Sequence, residues 1–314
     1  MGRFCVLHAR HEPQDERAKL AAFCPRPPGN LAAKAALQYG DRKTMKIALL
    51  QMPVTLEKDD NLKCAEEYIR TAAKDGADIA VLPEMFCCPY SNDHFAKYAE
   101  PANGRIWNFL SGEAEKHSIY LVGGSMPESE NGKIYNTSFV FDRKGTQIAR
   151  HRKAHLFDID IDGGQSFHES KTFAAGSDVT LFDNEFGRIG LCICFDMRFP
   201  EMSRLMALDG AKMIIVPAAF NMTTGPMHWE MLFRQRAVDD QLFTAGIASA
   251  RDENGPYVSY ANTILCSPWG KVIARADKGA EIITATIDFD ETEKARSQLP
   301  LLKARRDDIY RLER

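Results

Sequence analysis

The sequence feature that most constrains the fold is an internal repeat. Residues 76–86, GADIAVLPEMF, align with residues 210–220, GAKMIIVPAAF, and a matching strand and helix pattern precedes each copy. Farther along the chain, residues 135–150 resemble residues 260–275. A chain that carries one strand and helix pattern twice is expected to form two similar halves, which pack about a pseudo-twofold axis.

Strand and helix patterns alternate in the first copy. The spacing of apolar residues predicts, in order, a strand at 46–51, a helix at about 60–74, a strand at 78–82, a helix at 105–117 and strands at 119–123, 135–142 and 147–151. Asn131 and Gly132 predict a hairpin turn. This alternation is typical of an α/β fold with parallel pairing at its centre. If the two sheets pack face to face with helices outside, the fold is a four-layer αββα sandwich.

Composition favours a protein that acts on small molecules. The chain has 314 residues, of which 45% are hydrophobic, and its net charge is −3 without a basic run of the kind that binds nucleic acid. The longest apolar runs, such as residues 213–220, are too short to cross a bilayer, and no secretory signal pattern is present. We therefore expect a cytoplasmic protein whose eight cysteines are reduced thiols.

The first 44 residues differ from the rest of the chain. They hold 8 Lys and Arg against 4 Asp and Glu, so the net charge of this segment is +4 and that of the remaining residues is −7. Pro25, Pro27, Pro28 and Gly29 interrupt any periodic pattern. We expect residues 1–44 to be a mostly disordered extension and the domain to cover residues 45–314.

Two candidate functional residues follow predicted strands. Glu84 comes after the apolar run of the first repeat copy, where the second copy has Ala218. A carboxylate that one half needs and the other does not is more easily explained by function than by the scaffold. Cys194 ends another apolar run, before a helical pattern that starts near residue 199, so the sequence predicts a thiolate near a helix amino terminus. Ligand sites favour the carboxyl edge of such sheets.

Three motifs, in this order, resemble those of the nitrilase (carbon–nitrogen hydrolase) superfamily. They are LPE at 82–84, RKAHLFD at 152–158 and LCICFD at 191–196, and the resemblance runs from residue 46 to about residue 310. It implies that Glu84 is the general base and acid, Lys153 the stabiliser of the oxyanion and Cys194 the nucleophile. Glu169 matches the second glutamate found near this triad, and we expect it to support Lys153.

The chemistry of amide hydrolysis explains these residue types. A thiol next to a carboxylate base can attack a carbonyl carbon, and the same carboxyl can protonate the departing ammonia and activate water. The oxyanion formed by the attack needs fixed donors, which the Lys153 ammonium and the backbone N–H of Phe195 could supply. Taken singly, Glu84 and Lys153 fit a loop carboxylate and a solvated lysine, and Cys194 fits a buried structural cysteine.

Within the superfamily, the chain resembles the omega-amidase branch, which hydrolyses the terminal amide of 2-oxoglutaramate and 2-oxosuccinamate. The most distinctive shared stretch is FNMTTGPMHWE at 220–230, and others lie at 155–160, 167–172 and 194–199. Residues 85–90, MFCCPY, depart from the branch's usual CFNSPY. This departure concerns contacts to the acyl side of the substrate.

A dicarboxylate monoamide needs a partner for its far carboxylate, because an unpaired buried charge is costly. Arg198 is the candidate for a bidentate pair, and Tyr90 and Thr224 could add hydroxyl donors. The alternative for Arg198 is a structural ion pair with Asp196 or Glu201.

Other functions stay open at this stage. An amidase of the same superfamily could act on deaminated glutathione or on an N-carbamoyl compound, and a non-catalytic scaffold could keep the fold. His151 and His155, four residues apart, could bind a metal on a helix, but no further ligand cluster accompanies them, so we expect neither metal nor cofactor. The resemblance also implies a homodimer or a higher homo-oligomer, formed across helices near the nucleophile and the apolar C-terminal tail.

Overall fold

The computed structural model of the protein describes residues 44–255 and 257–313. The predicted extension lies outside the described residues except for Thr44, which begins the first strand. All described residues belong to one folded unit. None of their helices is both long enough and apolar enough to span a membrane.

The first half of the described chain alternates strands and helices as the sequence predicts. Its elements are β1 (Thr44–Gln51), α1 (Lys58–Lys74), β2 (Ile79–Val81), α2 (Asn92–Tyr98), α3 (Arg105–His117), β3 (Tyr120–Val122), β4 (Met126–Glu130), β5 (Lys133–Phe141) and β6 (Gln147–Arg152). A short hairpin follows, made of β7 (Asp158–Asp160) and β8 (Ser166–His168).

The second half repeats this pattern and then returns to the first sheet. Its elements are β9 (Thr180–Asn184), β10 (Gly187–Leu191), α4 (Pro200–Leu208), β11 (Met213–Ala218), α5 (Gly225–Asp240), β12 (Phe243–Ala248), β13 (Ile264–Cys266), β14 (Val272–Arg275), β15 (Glu281–Asp288) and α6 (Asp290–Gln298).

The two sheets have matching topologies. The first runs β15-β1-β2-β3-β5-β4, with β6 also paired to β5, and the second runs β14-β13-β12-β11-β10-β9. Strands β1, β2 and β3 are parallel, as are β10, β11 and β12, and each parallel set is flanked on both sides by antiparallel strands. This correspondence confirms the two pseudo-symmetric halves that the repeat predicts.

The inner faces of the two sheets pack against each other. Ile47 and Leu49 of β1 share a buried apolar cluster with Ile189 of β10, whereas the alternate residue Ala48 packs with Leu62 of α1. This alternation is the period-two pattern of a strand with both faces buried. Full burial of one large apolar side chain stabilises the fold by about 1.5–3 kcal/mol, so the face between the sheets is a major source of stability.

Helices α4 and α5 cover the outer face of the second sheet. Ile214 of β11 lies in one cluster with Met206 of α4 and Phe233 of α5. Gly246 of β12 permits the close approach of α5, because a Cβ atom there would lie 2.4 Å from the Phe233 ring. With α1 and α3 outside the first sheet, the layers are helix, sheet, sheet, helix, and the predicted αββα sandwich is confirmed.

The carboxyl ends of β2, β6 and β10 carry the three predicted catalytic residues. Glu84 follows β2, Lys153 follows β6 and Cys194 follows β10. The Glu84 loop lies against Gly124, whose φ is +56°, and a Cβ atom at Gly124 would lie 2.1 Å from the Pro83 carbonyl oxygen. A glycine is therefore required where the loop that carries Glu84 crosses the end of β3.

Candidate active site

An ammonium and two carboxylates meet in the interior of the protein. Lys153 Nζ lies 2.9 Å from Glu84 Oε1 and 2.9 Å from Glu169 Oε2. All three side chains are buried, with at most 1% of each residue exposed. Because a buried charge is costly unless it is paired, the mutual pairing is what allows the three groups to remain in the interior.

Glu169 is the most heavily bonded member of this cluster. Its Oε1 accepts from the Tyr90 hydroxyl at 2.7 Å and from Lys153 at 3.0 Å, and its Oε2 accepts from the Phe157 N–H at 2.7 Å. These bonds fix the carboxylate on one side of Lys153. Glu169 thereby restricts the position of the Lys153 ammonium, which is the kind of supporting role expected for it.

Asn136 belongs to the same cluster, and the sequence analysis missed it. Its Nδ2 donates to Glu84 Oε1 at 2.8 Å, and it lies 3.4 Å from Glu169 Oε1. Asn136 is fully buried on β5, next to the buried Thr137 and Ser138. The polar run Asn136-Thr137-Ser138 within an otherwise apolar strand was the signal that could have identified this residue. A buried amide needs hydrogen-bond partners, so such a run indicates a polar site.

Cys194 sits on a sharp turn between β10 and α4. Its φ is +47°, a left-handed conformation that costs a non-glycine residue about 1–3 kcal/mol. The sequence predicts a tight turn after Cys194 and a helix that opens near residue 199, and the structure confirms both. A short 3₁₀ segment, Cys194–Arg198, intervenes, and α4 begins at Pro200. The reason is that Pro200 disfavours helical backbone at Phe199, which is extended, and itself fits the first helical position.

The surroundings of Cys194 favour the neutral form of its thiol. Burial and the neighbouring Glu84 carboxylate raise its pKa well above the ordinary value, although Lys153 and the Ala219 N–H act in the opposite direction. This shift opposes the thiolate that the position near a helix amino terminus predicts. That prediction relied on a helix amino terminus next to the sulfur and did not include the desolvation of a buried thiol.

Glu84 is placed to receive the thiol proton. Burial raises the pKa of its carboxyl, and Lys153 and a hydrogen bond with the Cys194 thiol act against that shift. Glu84 Oε1 is occupied by Lys153 and Asn136, whereas the buried Oε2 has no standard hydrogen-bond partner among the described residues. Glu84 thus lies close enough to the Cys194 thiol to influence its pKa, and it retains an oxygen that can take a proton.

Lys153 keeps its charge. Burial alone would lower its pKa, but the carboxylates of Glu169 and Glu84 outweigh burial and raise the pKa above the ordinary lysine value. Lys153 is consequently an ammonium throughout the physiological pH range. It can balance negative charge that develops beside Cys194.

Asp196 anchors the turn that carries Cys194, and the sequence analysis did not assign it this role. Its Oδ2 contacts His151 Nε2 at 3.0 Å and accepts from the Ile193 N–H at 3.0 Å, and its Oδ1 contacts His155 Nδ1 at 2.8 Å. Burial would raise the pKa of Asp196, but the bonds from both histidines outweigh it and lower the pKa. The two histidines therefore bind a carboxylate, and no group of three or more metal-ligating side chains is found in residues 44–255 and 257–313.

Arg198 has no carboxylate partner within the described part of the chain. Its Nη1 lies 3.0 Å from His228 Nδ1, and its Nη2 donates to Thr224 Oγ1 at 3.2 Å. Neither Asp196 nor Glu201 forms the structural ion pair considered above. The half-buried guanidinium is therefore left with an uncompensated charge beside the 3₁₀ segment.

The other predicted binding residues already hold partners. The hydroxyl proton of Tyr90 is donated to Glu169, and that of Thr224 is donated to Asn221 Oδ1 at 3.0 Å. Neither hydroxyl proton is free for a ligand in this state. Phe195 directly follows Cys194 in the 3₁₀ segment, and the role of its N–H group stays a prediction.

A cavity opens onto Glu84 and Tyr90. Its lining includes Cys88, from the stretch that departs from the omega-amidase pattern, and Tyr257. The Tyr257 hydroxyl donates to the Ala219 carbonyl oxygen, and its ring packs on the Tyr90 ring with centroids 4.5 Å apart. Sequence analysis missed Tyr257, which lies in no motif, and an isolated tyrosine in a loop gives no signal without the fold.

Comparisons with known proteins identify the family of the chain. The family model described as carbon-nitrogen hydrolase matches residues 46–297. Omega-amidase NIT2 of Mus musculus is 44% identical over 270 residues, which cover 86% of this chain and 98% of that protein, and a Schizosaccharomyces pombe hydrolase is 45% identical over 86% of this chain and 84% of its own length. The crystal structure of Saccharomyces cerevisiae Nit3, a member of branch 10 of the nitrilase superfamily, superimposes with a TM-score of 0.78 at 41% identity, covering 84% of this chain and 97% of that one. The chain belongs to the carbon–nitrogen hydrolase family, as its motifs predict.

Proposed function

We propose that this protein hydrolyses the terminal amide of a short dicarboxylate monoamide, of the 2-oxoglutaramate or 2-oxosuccinamate type, through a cysteine thioester. The observation that carries the proposal is the buried cluster of Glu84, Lys153 and Glu169 beside Cys194. A nucleophile, a base and a donor that stabilises the oxyanion are what acyl transfer from an amide needs, and Cys194, Glu84 and Lys153 can supply them.

In the first step, Cys194 Sγ attacks the amide carbon. The carbon–sulfur bond forms as the thiol proton passes to Glu84, so a free buried thiolate never has to form. The carbonyl oxygen becomes an oxyanion, which the Lys153 ammonium and the Phe195 N–H stabilise. Removal of one such donor typically costs about 3–4 kcal/mol of barrier stabilisation.

Collapse of the tetrahedral intermediate breaks the carbon–nitrogen bond. Glu84 returns its proton to the departing nitrogen, so that ammonia leaves and a thioester remains on Cys194. Glu84 then takes a proton from water as the water oxygen attacks the thioester. The carbon–sulfur bond breaks, the proton on Glu84 returns to the sulfur, and the dicarboxylate product leaves. The raised pKa of the Glu84 carboxyl suits a group that must accept and donate a proton in turn.

Arg198 supports the choice of a carboxylated substrate. Its charge is uncompensated within the described residues, and its guanidinium lies over the Phe220 ring, 4.7 Å from the centroid. A carboxylate is the planar, bidentate partner that such a group takes best. The similarity to a protein named omega-amidase points to the same substrate class.

Ammonia release from a panel of amides tests this function. We expect the full-length protein to release ammonia from 2-oxoglutaramate and 2-oxosuccinamate with a kcat/KM at least about tenfold above that for deaminated glutathione. A tenfold ratio corresponds to about 1.4 kcal/mol of differential binding. Carbon dioxide release alongside ammonia from an N-carbamoyl substrate would instead favour a carbamoyl hydrolase. Absence of ammonia from every amide would favour the scaffold alternative.

We also propose that the protein acts as a homodimer or a higher homo-oligomer. Helix α5 exposes large apolar side chains, and Trp269 lies next to them. Their exposed fractions are 69% for Met227, 55% for Met231 and 52% for Trp269. In the C-terminal tail, Ile309 is 67% exposed. Clustered exposed apolar groups mark interaction surfaces.

The charge variant Met231→Lys should shift the protein from dimer toward monomer in sedimentation equilibrium, because a charge in an apolar interface is costly. Leu56→Lys is the matched control, since Leu56 is 58% exposed and lies between β1 and α1. Equal masses for the wild type and both variants would contradict an interface at α5.

A further inference from the structure

Arg198 is held by two acceptors from one short stretch of chain. His228 Nδ1 lies 3.0 Å from Nη1, and Thr224 Oγ1 lies 3.2 Å from Nη2. Thr224 is itself oriented, because its hydroxyl donates to Asn221 Oδ1 and so turns a lone pair toward Arg198. Both ends of the guanidinium are therefore fixed at the start of α5.

The contact with Arg198 determines which nitrogen of the His228 imidazole carries the proton. A guanidinium has five N–H donors and no acceptor, so Nδ1 must be the unprotonated nitrogen and Nε2 carries the proton. Burial and the Arg198 charge lower the pKa of His228, which keeps the ring neutral. Two of the five donors are used, and the buried Nε of Arg198 has no partner within the described residues.

The unused donors of Arg198 can bind an anion. Three N–H groups of Arg198 remain after the bonds to His228 and Thr224, and a carboxylate can take two of them side by side. The Phe195 and Phe220 rings lie 5.6 Å and 4.7 Å from the guanidinium carbon and limit how it can turn. If His228 lost its lone pair, Arg198 would be anchored at Thr224 alone.

We propose that His228 is a positioning residue for substrate specificity: its Nδ1 lone pair holds Arg198 in the orientation that receives the far carboxylate of the monoamide. This inference rests on the proposed function. His228 does not touch the reacting atoms, so its loss should weaken binding of carboxylated amides without slowing the chemical step. Neutral amides make no use of Arg198 and should be insensitive.

Two amides of matched shape test the proposal. Succinamate has a carboxylate where butyramide has a methyl group, and both can be assayed by ammonia release. We expect His228→Phe to raise KM for succinamate about tenfold or more with kcat nearly unchanged, which is the loss of a uniform binding interaction. The values for butyramide should change by less than about threefold. His228→Asn, which keeps an acceptor near the Nδ1 position, should restore most of the succinamate KM.

The wild-type enzyme supplies a second measurement that does not depend on how the variants fold. As pH falls below about 6.5, the ordinary histidine value, and then through the lowered pKa, His228 gains a proton that points at Arg198. Arg198 is the charged group that faces the ring, and Glu230 on the same helix is paired with Arg234 and Arg275. KM for succinamate should therefore rise at low pH while KM for butyramide stays level.

Each outcome is decisive. Equal losses on both amides in His228→Phe would assign His228 a purely structural role, and unchanged kinetics on both would remove it from recognition. A wild-type enzyme that does not prefer succinamate to butyramide would instead overturn the proposed function, and this inference with it. The preference of the wild-type enzyme for succinamate over butyramide therefore shows which of the two hypotheses has failed.

Discussion

The Cys194→Ala variant should lose amide hydrolysis almost completely, with kcat reduced by about 10⁴-fold or more. Cys194 is the sulfur in contact with Glu84, and alanine leaves the site without a nucleophile. The fold should persist, because alanine removes one atom from a buried position. The measurement is ammonia release under single-turnover and steady-state conditions.

Cys192→Ala is the matched control for this variant. Cys192 lies two residues earlier, is equally buried and also has a pKa raised by burial. It has no contact with Glu84, so its replacement should leave kcat within about threefold of the wild type. Acid-quenched wild-type enzyme should gain the mass of the acyl group on Cys194. Acylation of Cys192, or activity retained in Cys194→Ala, would contradict the thioester mechanism.

Sequence patterns predicted the elements whose structure depends on interactions between residues close together in the chain. The helix predicted at 105–117 matches α3, and the turn predicted at Asn131 and Gly132 joins β4 to β5 with both residues at positive φ, +51° and +74°. Helix α2 and the β7–β8 hairpin were not predicted. Helix α2 buries Phe95 alone, and β7 has no buried residue, so neither carries the apolar periodicity on which the prediction depends.

The residues of the candidate site likewise divide into those that sequence patterns predicted and those that they did not. Glu84, Lys153 and Cys194 were named from motifs at strand ends, and the fold brings them together. Asn136 and Tyr257 were missed because their roles come from contacts with residues far away in the chain: Asn136 bonds Glu84, 52 positions earlier, and Tyr257 bonds Ala219, 38 positions earlier. Tertiary hydrogen bonds between buried polar groups leave no periodic signal in a sequence.

The raised pKa of the Cys194 thiol is the most informative difference. A sequence can indicate that a cysteine precedes a helix, but it cannot give the depth of burial that determines the pKa of the thiol. The raised pKa of Cys194 and the raised pKa of Glu84 favour the proposed mechanism, in which proton transfer accompanies the attack on substrate. Alkylation of Cys194 should consequently depend on whether the reagent can enter the cavity and engage Glu84.

The Lys153→Met variant should be both much less active and less stable than the wild type. Methionine is close to lysine in length but carries no charge, so Glu84 and Glu169 would remain buried without their cation. Breaking a buried pair by removing one partner typically costs about 3–5 kcal/mol. Loss of the oxyanion donor should lower kcat by about 10²–10³-fold in addition. Urea unfolding and ammonia release measure the two effects separately.

The stability loss should depend on pH in a defined direction. The pKa of Glu84 is already raised by burial, and removal of Lys153 would raise it further above the unfolded value of about 4.3. A carboxyl whose pKa is higher in the folded state makes the free energy of unfolding fall as pH rises between the unfolded and folded pKa values. The deficit of Lys153→Met relative to the wild type should thus be largest near pH 8 and shrink toward pH 5.

A double variant separates charge from catalysis. Adding Glu169→Gln to Lys153→Met removes one of the two unpaired carboxylates. The amide oxygen can still accept from the Phe157 N–H, and the amide nitrogen can donate to the Tyr90 hydroxyl oxygen. Stability at pH 8 should recover by about 1–3 kcal/mol, the cost of one unpaired buried polar group, and activity should not recover. If the double variant were no more stable than Lys153→Met, the three buried groups would not be held together by charge pairing, and the electrostatic account of Lys153 would be wrong.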